Sequence, residues 1–516
     1  NSYWGTRNRI TNFLSDWIRH AQNYTFLAYQ NPPEHYQIRW WQIVRWLDYW
    51  MPSYYPVTRL WDVHHAYQVA AATEADIIFH LVGATERETT SKTSSATLAE
   101  SKARLRSHFQ ELSELTRRKP RADLAEHAYL LDIADRIRHR ILAVELQRGD
   151  FPTAASNAAR ALRSITGIST IVQLIQAIGS EKLVRHYSYN NLSKASVFSH
   201  LMRISFPAPE DTPEEFKQRV LSAKISESKL IQFAFYAPQW VNYVEHALGW
   251  AGFTDAVWWI HAHTKDTSWS VEHDVRETWE AQISERTPLS TKSLIDGAVD
   301  VAWFLQFWKR LKKERWQQLY DLAQFASSSG GHQRARLFAD AMLGNLEASA
   351  IRDRITQKRH QDSVRALGLL PLPKGKKREK ELLDRYQLFQ EFLRTSKQFG
   401  SQRQASEKLA VEIGLENLAR TAGFIDPQRL QWAMEAAAIA DLVSQSQTIT
   451  IDTVSVSLSI NSLGEPEITI SKAGKSLKSI PAAIKKNPQV QALTNRKQDI
   501  TKQASRMRIS LEQAMC

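Results

Sequence analysis

The segment WWIHAHTKD, residues 258 to 266, carries the residue types that a divalent metal wants: His261 and His263 two apart, with Asp266 close behind. A His-x-His pair chelates only if both imidazoles leave the backbone on one side. A strand does this because its side chains repeat every two residues; a helix turns about 200° over that distance and separates them. The surroundings, GWAGFTDAVWWIHAHTKD, favour a helix, with Thr254 as N-cap, Asp255 in the first turn and an unbroken run to His263. Val257, Ile260 and His261 then share a face and His263 points elsewhere. For a His-x-His-x-Asp-His metal run the carboxylate also falls one place late, because Lys265 occupies its slot. No metal is expected here, and no cofactor is implied elsewhere.

Other residues pose the same choice between chemistry and structure. Asp296 and Asp300 in DGAVDVAWF are four apart. On one helix face they would pair for metal or acid/base work; at a helix start they would instead suit the positive dipole end. In SSSGGHQRARLFADAML a Ser/Gly turn precedes a helix bearing His332, Arg334 and Arg336, where backbone N–H groups and nearby cations could hold a phosphate. The Gly-Lys-Ser/Thr ending of a P-loop is absent. QKRHQD reads as an exposed charged helix face carrying Lys358, Arg359, His360 and Asp362. PLPKGKKREKELLDRYQ sets Lys374, Lys376, Lys377, Arg378 and Lys380 around a Pro/Gly loop; such a cluster contacts phosphates without reading sequence, or is simply solvated. Nearby, Tyr386, Phe389 and Phe392 have the spacing of a helix core. No Gly-x-Ser-x-Gly elbow occurs, and the single cysteine, Cys516, excludes an internal disulfide and a Cys-based zinc site. The catalytic candidates are therefore His261, Asp296, Asp300 and His332. The anion-binding candidates are His332, Arg334, Arg336, Lys374, Lys376, Lys377 and Arg378.

The elements that must position these residues read as helices nearly throughout. The chain has 516 residues, 43% of them hydrophobic, enough for a few domains of about 150 residues. YQIRWWQIVRWLDYWMPSYYP reads as a helix apolar on most sides and so buried in a larger body, and Leu60 to Val82 as a second helix. ERETTSKTSSATLAES, residues 86 to 101, reads as a linker. Helical patterns follow at 99–117, 121–148, 152–164, 168–178, 181–188 and 193–203, and Thr212-Pro213-Glu214-Glu215 opens a further series running to about Ser444. In TVSVSLSI, Val454, Val456, Leu458 and Ile460 alternate with Thr and Ser, a half-buried strand that pairs across NSLGEP with EITISK. Beyond it Leu493, Ile500, Met507 and Ala514 recur every seven residues, a seam for one partner.

The fold expected is mainly α: an irregular, HEAT-like or solenoid-like helical array with one small β-hairpin near residues 450–472. Its expected divisions are 1–85, 99–205, 212–448 and 449–516. With no initiator methionine and a helical pattern reaching Cys516, a fragment of a longer protein is expected. There is no visible secretory leader and no apolar run long enough to span a membrane, so a cytoplasmic protein without membrane contact is the simplest reading. Formal net charge is +13, concentrated late: 15 Lys/Arg against 7 Asp/Glu in 351–408, and 10 against 2 in 471–516.

Several stretches together carry a resemblance: WWIHAHTKD, DGAVDVAWF, GHQRARLFADAMLG, KRHQDSVRALGLLPLP, the run from FGSQRQASEKL to LQWAMEA, and the closing GKSLKSIPAAIKKNPQV and RMRISLEQAM. They resemble an uncharacterised bacterial family of very large helical proteins that includes the molybdate-metabolism-regulator-like proteins. The resemblance is strong from about Gln232 to Met515. Some of those relatives carry a WGR module; here Trp4-Gly5-Thr6-Arg7 departs from Trp-Gly-Arg. The kinship implies a helical architecture and brings no catalytic residues with it. Two functions stand. The first is an intracellular scaffold with protein partners that meets nucleic acid or another polyanion through its basic C-terminal third. The second is an enzyme on a phosphorylated or nucleotide-like substrate, with a site around 261–336.

Overall fold

Helices begin where short polar side chains can take up the first free backbone N–H groups. Thr212 accepts from the Glu215 N–H at 3.2 Å ahead of Pro213, and Asp426 from the Arg429 N–H at 2.7 Å ahead of Pro427. Ser193, Ser226 and Ser290 cap three more helices in the same way. The computed structural model describes residues 33–50, 60–82, 109–185, 191–265, 271, 273–328, 330–462 and 464–514. The chain is mainly α-helical, with one small antiparallel sheet near its C-terminal end. The expected linker at 86–101, the Trp4-Gly5-Thr6-Arg7 run and Asp266 lie outside the described residues.

Two compact units interleave along the chain. One draws on Asn1–Trp258, Ser268–Ile283 and Arg310–Ser329; the other on Trp259–Thr267, Ser284–Lys309 and Gly330–Cys516. In the first unit the first described helix, Glu34–Trp50, is less enclosed than its aromatic composition suggests. Trp41 is buried, but Tyr36 and Ile43 are exposed. Leu60–Val82 is two helices, Leu60–Gln68 and Glu74–Val82. Ala70 turns left-handed between them, and Thr73 starts the second by donating its N–H and hydroxyl to Asp76. The expected helix 181–188 is not seen in its described part, 181–185. Helices Ile168–Ile178 and Lys194–Arg203 fall where their periodicity places them.

A two-residue parallel pair, β1 (Ile165–Thr166) with β2 (Ser205–Phe206), is pinned from its outer side by the Trp240 indole, which donates to the Ser205 carbonyl and hydroxyl at 3.1 and 2.8 Å. Phe216 stacks on Trp240. Deeper in this unit Glu145 and Arg148 form an ion pair at 2.8 Å with both side chains fully buried. Ser156 donates its hydroxyl to Glu145 at 2.8 Å and Arg148 donates to the Leu192 carbonyl at 3.0 Å, while the Arg148 Nε is buried without an acceptor.

The second unit is built on helix Ser401–Ala422, which crosses Gln361–Leu367 with the backbones almost touching. A Cβ at Gly368 would lie 2.4 Å from the Gly414 carbonyl oxygen, and one at Gly414 would lie 3.0 Å from that of Val364. Helix Lys376–Ser396 packs alongside and buries Tyr386, Phe389 and Phe392 as expected. The expected hairpin is the centre of a four-stranded meander: β3 (Gln447–Ile451), β4 (Val454–Ile460), β5 (Pro466–Lys472) and β6 (Lys475–Leu477). Val454, Val456, Leu458 and Ile470 cover Val490, Leu493 and Ile500 of helix Pro488–Ala514. The expected heptad seam is buried only that far; Met507 and Leu511 are exposed. The reason is length. A seven-residue strand reaches about 23 Å, against about 40 Å for a helix of this size.

Candidate functional site

The WWIHAHTKD stretch is helical, in Phe253–His263, so the two imidazoles diverge. Its first turn is capped from outside. The Glu245 carboxylate accepts the Gly252 and Thr254 N–H groups at 3.3 and 2.7 Å, and Phe253 already lies within the helix, so Thr254 is not the N-cap. His261 and His263 are both buried. His263 donates from Nδ1 to the Trp259 carbonyl at 2.7 Å and its ring stacks on Trp259, centroids 4.3 Å apart. Burial, joined by the nearby Arg334 and Arg420 charges, lowers its pKa to about 3 against the opposing Trp259 bond, so the ring is neutral at physiological pH.

Arg334, one turn into helix His332–Met342, meets this helix end without facing solvent. It is 4% exposed, and its guanidinium is spent on main-chain carbonyls: His263 and Thr264 at 3.1 Å each, Ile295 at 2.6 Å and Leu294 at 3.1 Å. The C-terminal ends of Phe253–His263 and Thr291–Asp296 therefore share one buried cation. Each would otherwise present unsatisfied, partly negative carbonyls. Desolvation lowers the Arg334 pKa to about 10, which still leaves it charged. Gly331 explains the glycines before this helix. A Cβ there would lie 2.6 Å from the Lys265 carbonyl oxygen, and Lys265 N–H donates to the Gly331 carbonyl at 3.0 Å. The turn lies against backbone at the place where a phosphate was expected. His332 is buried and Arg336 half-buried, both with partners.

Asp296 and Asp300 do not share a helix face. Asp296 ends Thr291–Asp296, Gly297 turns left-handed, and the next helix runs Val301–Arg310. Asp300 caps that helix, accepting the Trp303 N–H at 2.9 Å and the Thr287 hydroxyl at 2.8 Å. Asp296 pairs with Lys292 at 3.5 Å, and its carbonyl accepts from Arg365 at 2.7 Å. Asp296 also lines a groove of about 610 Å³ with Glu412, Glu416, Asp426 and Glu435. Each of these carboxylates has a cation: Lys408, Arg420, Arg429 and Arg506 respectively. Within the 261–336 set, then, the helix ends at His263 and Asp296 meet around Arg334, while the Asp300 carboxylate is turned to its own helix.

Two participants in this junction, Asn417 and Arg365, are not legible in the sequence, and a third, Asp362, is buried where an exposed charged face was expected. Asn417, fully buried, accepts the Val299 N–H at 3.0 Å and donates to the carbonyls of Gly297 and Arg365. Arg365 and Asp362 bond at 3.2 Å. The QKRHQD stretch is no exposed helix face. It is a break in which Arg359 turns left-handed, reaches Glu407 at 2.6 and 2.9 Å, and lies 4.1 Å over the Phe392 ring. Burial pushes the Glu407 pKa up, but hydrogen bonds from Arg359 and Arg403 outweigh it and hold the pKa low. His360 caps the following helix at the Ser363 N–H.

In the first unit His64, His65 and His127 form a ring cluster, with His64 and His127 centroids 4.3 Å apart and the His64 Nδ1 bonded to the Tyr129 hydroxyl. Burial first, then repulsion from the other two rings, lowers His64 to about 4. His80 pairs with Glu111, 31 residues further along the chain. Among the described residues, His273, Asp274 and Glu277 bring ligand atoms within 4.8 Å of one another. They lie at the start of helix His273–Ser284, within its first five residues, where the positive dipole end opposes a cation. Of the cationic cluster, Lys374, Lys377, Arg378 and Lys380 are exposed around the start of helix Lys376–Ser396, and Arg378 also donates to the Ala422 carbonyl at 2.6 Å.

These features define a mainly helical protein whose most conspicuous polar motifs join helix ends. Residues 7–434 match the family of unknown function DUF5724, and the chain belongs to that family. Residues 474–516 match the domain of unknown function DUF4132. No curated protein and no solved structure matches the chain. No described helix is long and apolar enough to cross a membrane.

Proposed function

We propose that the chain is a non-enzymatic intracellular scaffold with protein partners, and that it meets nucleic acid or another polyanion through the cationic loop-to-helix junction at Lys374, Lys376 and Lys377. The observation that carries this reading is the contrast between two sets of cations. Arg334 and Arg365 are buried on carbonyls and carboxylates, whereas Lys374 and Lys377 stand in solvent beside a Pro/Gly turn. An exposed lysine cluster where a loop enters a helix supplies counterion-releasing contacts with phosphates and no base readout. The resemblance to bacterial molybdate-metabolism-regulator-like proteins belongs to the same reading, as kinship among large helical proteins. The alternative, an enzyme on a phosphorylated or nucleotide-like substrate, would need His261, Asp296, Asp300, His332 and Arg334 to act together. Arg334 bonded throughout to backbone, and Asp300 serving as a helix cap, argue for the scaffold. The test is fluorescence anisotropy with labelled single- and double-stranded nucleic acid across a salt series. Binding should weaken as salt rises, and Lys374→Glu/Lys376→Glu/Lys377→Glu should reduce both affinity and salt slope. Salt-independent binding that ignores these changes overturns the reading.

A further inference from the structure

The outer edge of the small sheet is a strand built to accept another. β3 reads Gln-Thr-Ile-Thr-Ile, among the described residues pairs only with β4, and has Gln447, Thr448 and Thr450 exposed. Sheet edges are ordinarily guarded by Lys, Pro, a bulge or a covering segment. β6, at the other edge, has Lys475 and is three residues long. β3 has five residues, no charge, no Pro and no Gly.

The hydrogen-bond phase of β3 follows from its turn. Ile451 and Val454 flank the two-residue connection Asp452–Thr453, so they form the closing hydrogen-bonded pair. Counting back, Thr450·Ser455 and Thr448·Ser457 are the close, non-bonded pairs. Their hydroxyl oxygens lie 2.9 and 2.8 Å apart, as that phase requires. The N–H and C=O groups of Thr448 and Thr450 therefore point away from β4, along the free edge.

We propose that this edge pairs with β3 of a second copy of the chain, antiparallel about Ile449, giving one sheet through both copies. In that register Thr448 faces Thr450 of the second copy, Ile449 faces its own counterpart, and Gln447 faces Ile451. The outward-pointing threonines then exchange main-chain hydrogen bonds. Their side chains extend the hydroxyl rows on the solvent face, and the Ile449 pair extends the apolar face that Ile449 and Ile451 already share with the buried cluster below. A strand without charge meets its own copy with no like-charge cost. A register shifted by one residue would set Ile against Thr across the sheet and fails on both phase and side-chain type.

Sedimentation velocity of the full chain over a rising concentration series is the first measurement, with a reversible dimer expected. Thr448→Pro removes an edge N–H that β4 does not use, so it should leave the thermal melt unchanged while weakening dimerisation by about tenfold or more. In a Cys516→Ser background, Ile449→Cys should form an intermolecular disulfide readily, because the symmetric non-bonded pair brings the two Cα atoms within disulfide range. Gln447→Cys should not. A chain monomeric at every concentration overturns the proposal. So does a dimer indifferent to Thr448→Pro, or equal cross-linking at 447 and 449, even if Thr448→Pro proves unstable.

Discussion

Arg334 shows how a single side chain can look like chemistry and be structure. A basic residue one turn into a helix, behind a Ser/Gly turn, has the local pattern of an anion site. What changes its meaning is distant in sequence: two helices end beside it, at His263 and Asp296, and leave carbonyls that Arg334 takes up. No local pattern encodes that meeting. Removing the guanidinium leaves several buried acceptors unmet, so Arg334→Met should destabilise the fold by about 3–5 kcal/mol in denaturant titrations. Lys, with no planar fork, should not restore it. The buried histidines make a second residue-scale prediction. Burial lowers His200 to about 3, with further lowering by Arg160 and opposition from its bond to the Leu162 carbonyl; His263 falls to a similar value. Their folded pKa values lie below the unfolded value near 6.5, so the unfolded chain binds more protons as pH falls. Their contribution is intact above pH 6.5 and lost progressively below it, at about 1.4 kcal/mol per pH unit for each ring. Unfolding free energies between pH 7 and 5 should show this slope, and His263→Phe should reduce it.

Elements were readable where their signal is periodic or locally capped. The Val/Ser alternation of β4, the Thr212–Pro213 start and the core spacing of Tyr386, Phe389 and Phe392 each use neighbours within one element, and each is present. Breaks inside helical-looking runs were not readable. Ala70 and Arg359 adopt left-handed backbone without being glycine, and nothing in their identity announces it. Asp296 and Asp300 were read both ways, and Gly297 turning left-handed between them separates the two. Element-scale energetics follow. Asp300→Ala should cost about 1 kcal/mol through the lost cap. Gly414→Val forces apart helices already in backbone contact and should cost about 3 kcal/mol. Urea midpoints measured on the same day's protein would check both, and the ranking matters as much as the sizes.

At the scale of the whole molecule, composition was a better guide to class than to work. A mainly helical chain and a late concentration of positive charge are visible from counting alone. Which cations face solvent is not, because ion pairs such as Arg359 with Glu407 and Arg385 with Glu381 withdraw part of that charge into the fold. On the scaffold reading, stability and polyanion binding reside in different residues. The most direct measurement compares Arg334→Met with Lys374→Glu/Lys376→Glu/Lys377→Glu, recording unfolding free energy and salt-dependent nucleic-acid affinity for each. The first variant should lose stability and, where folded, keep its affinity and salt slope. The second should keep its stability and lose both. An Arg334→Met protein that stays fully stable but no longer binds, beside a lysine variant that binds as before, would contradict the account and return the 261–336 constellation to the status of a ligand site.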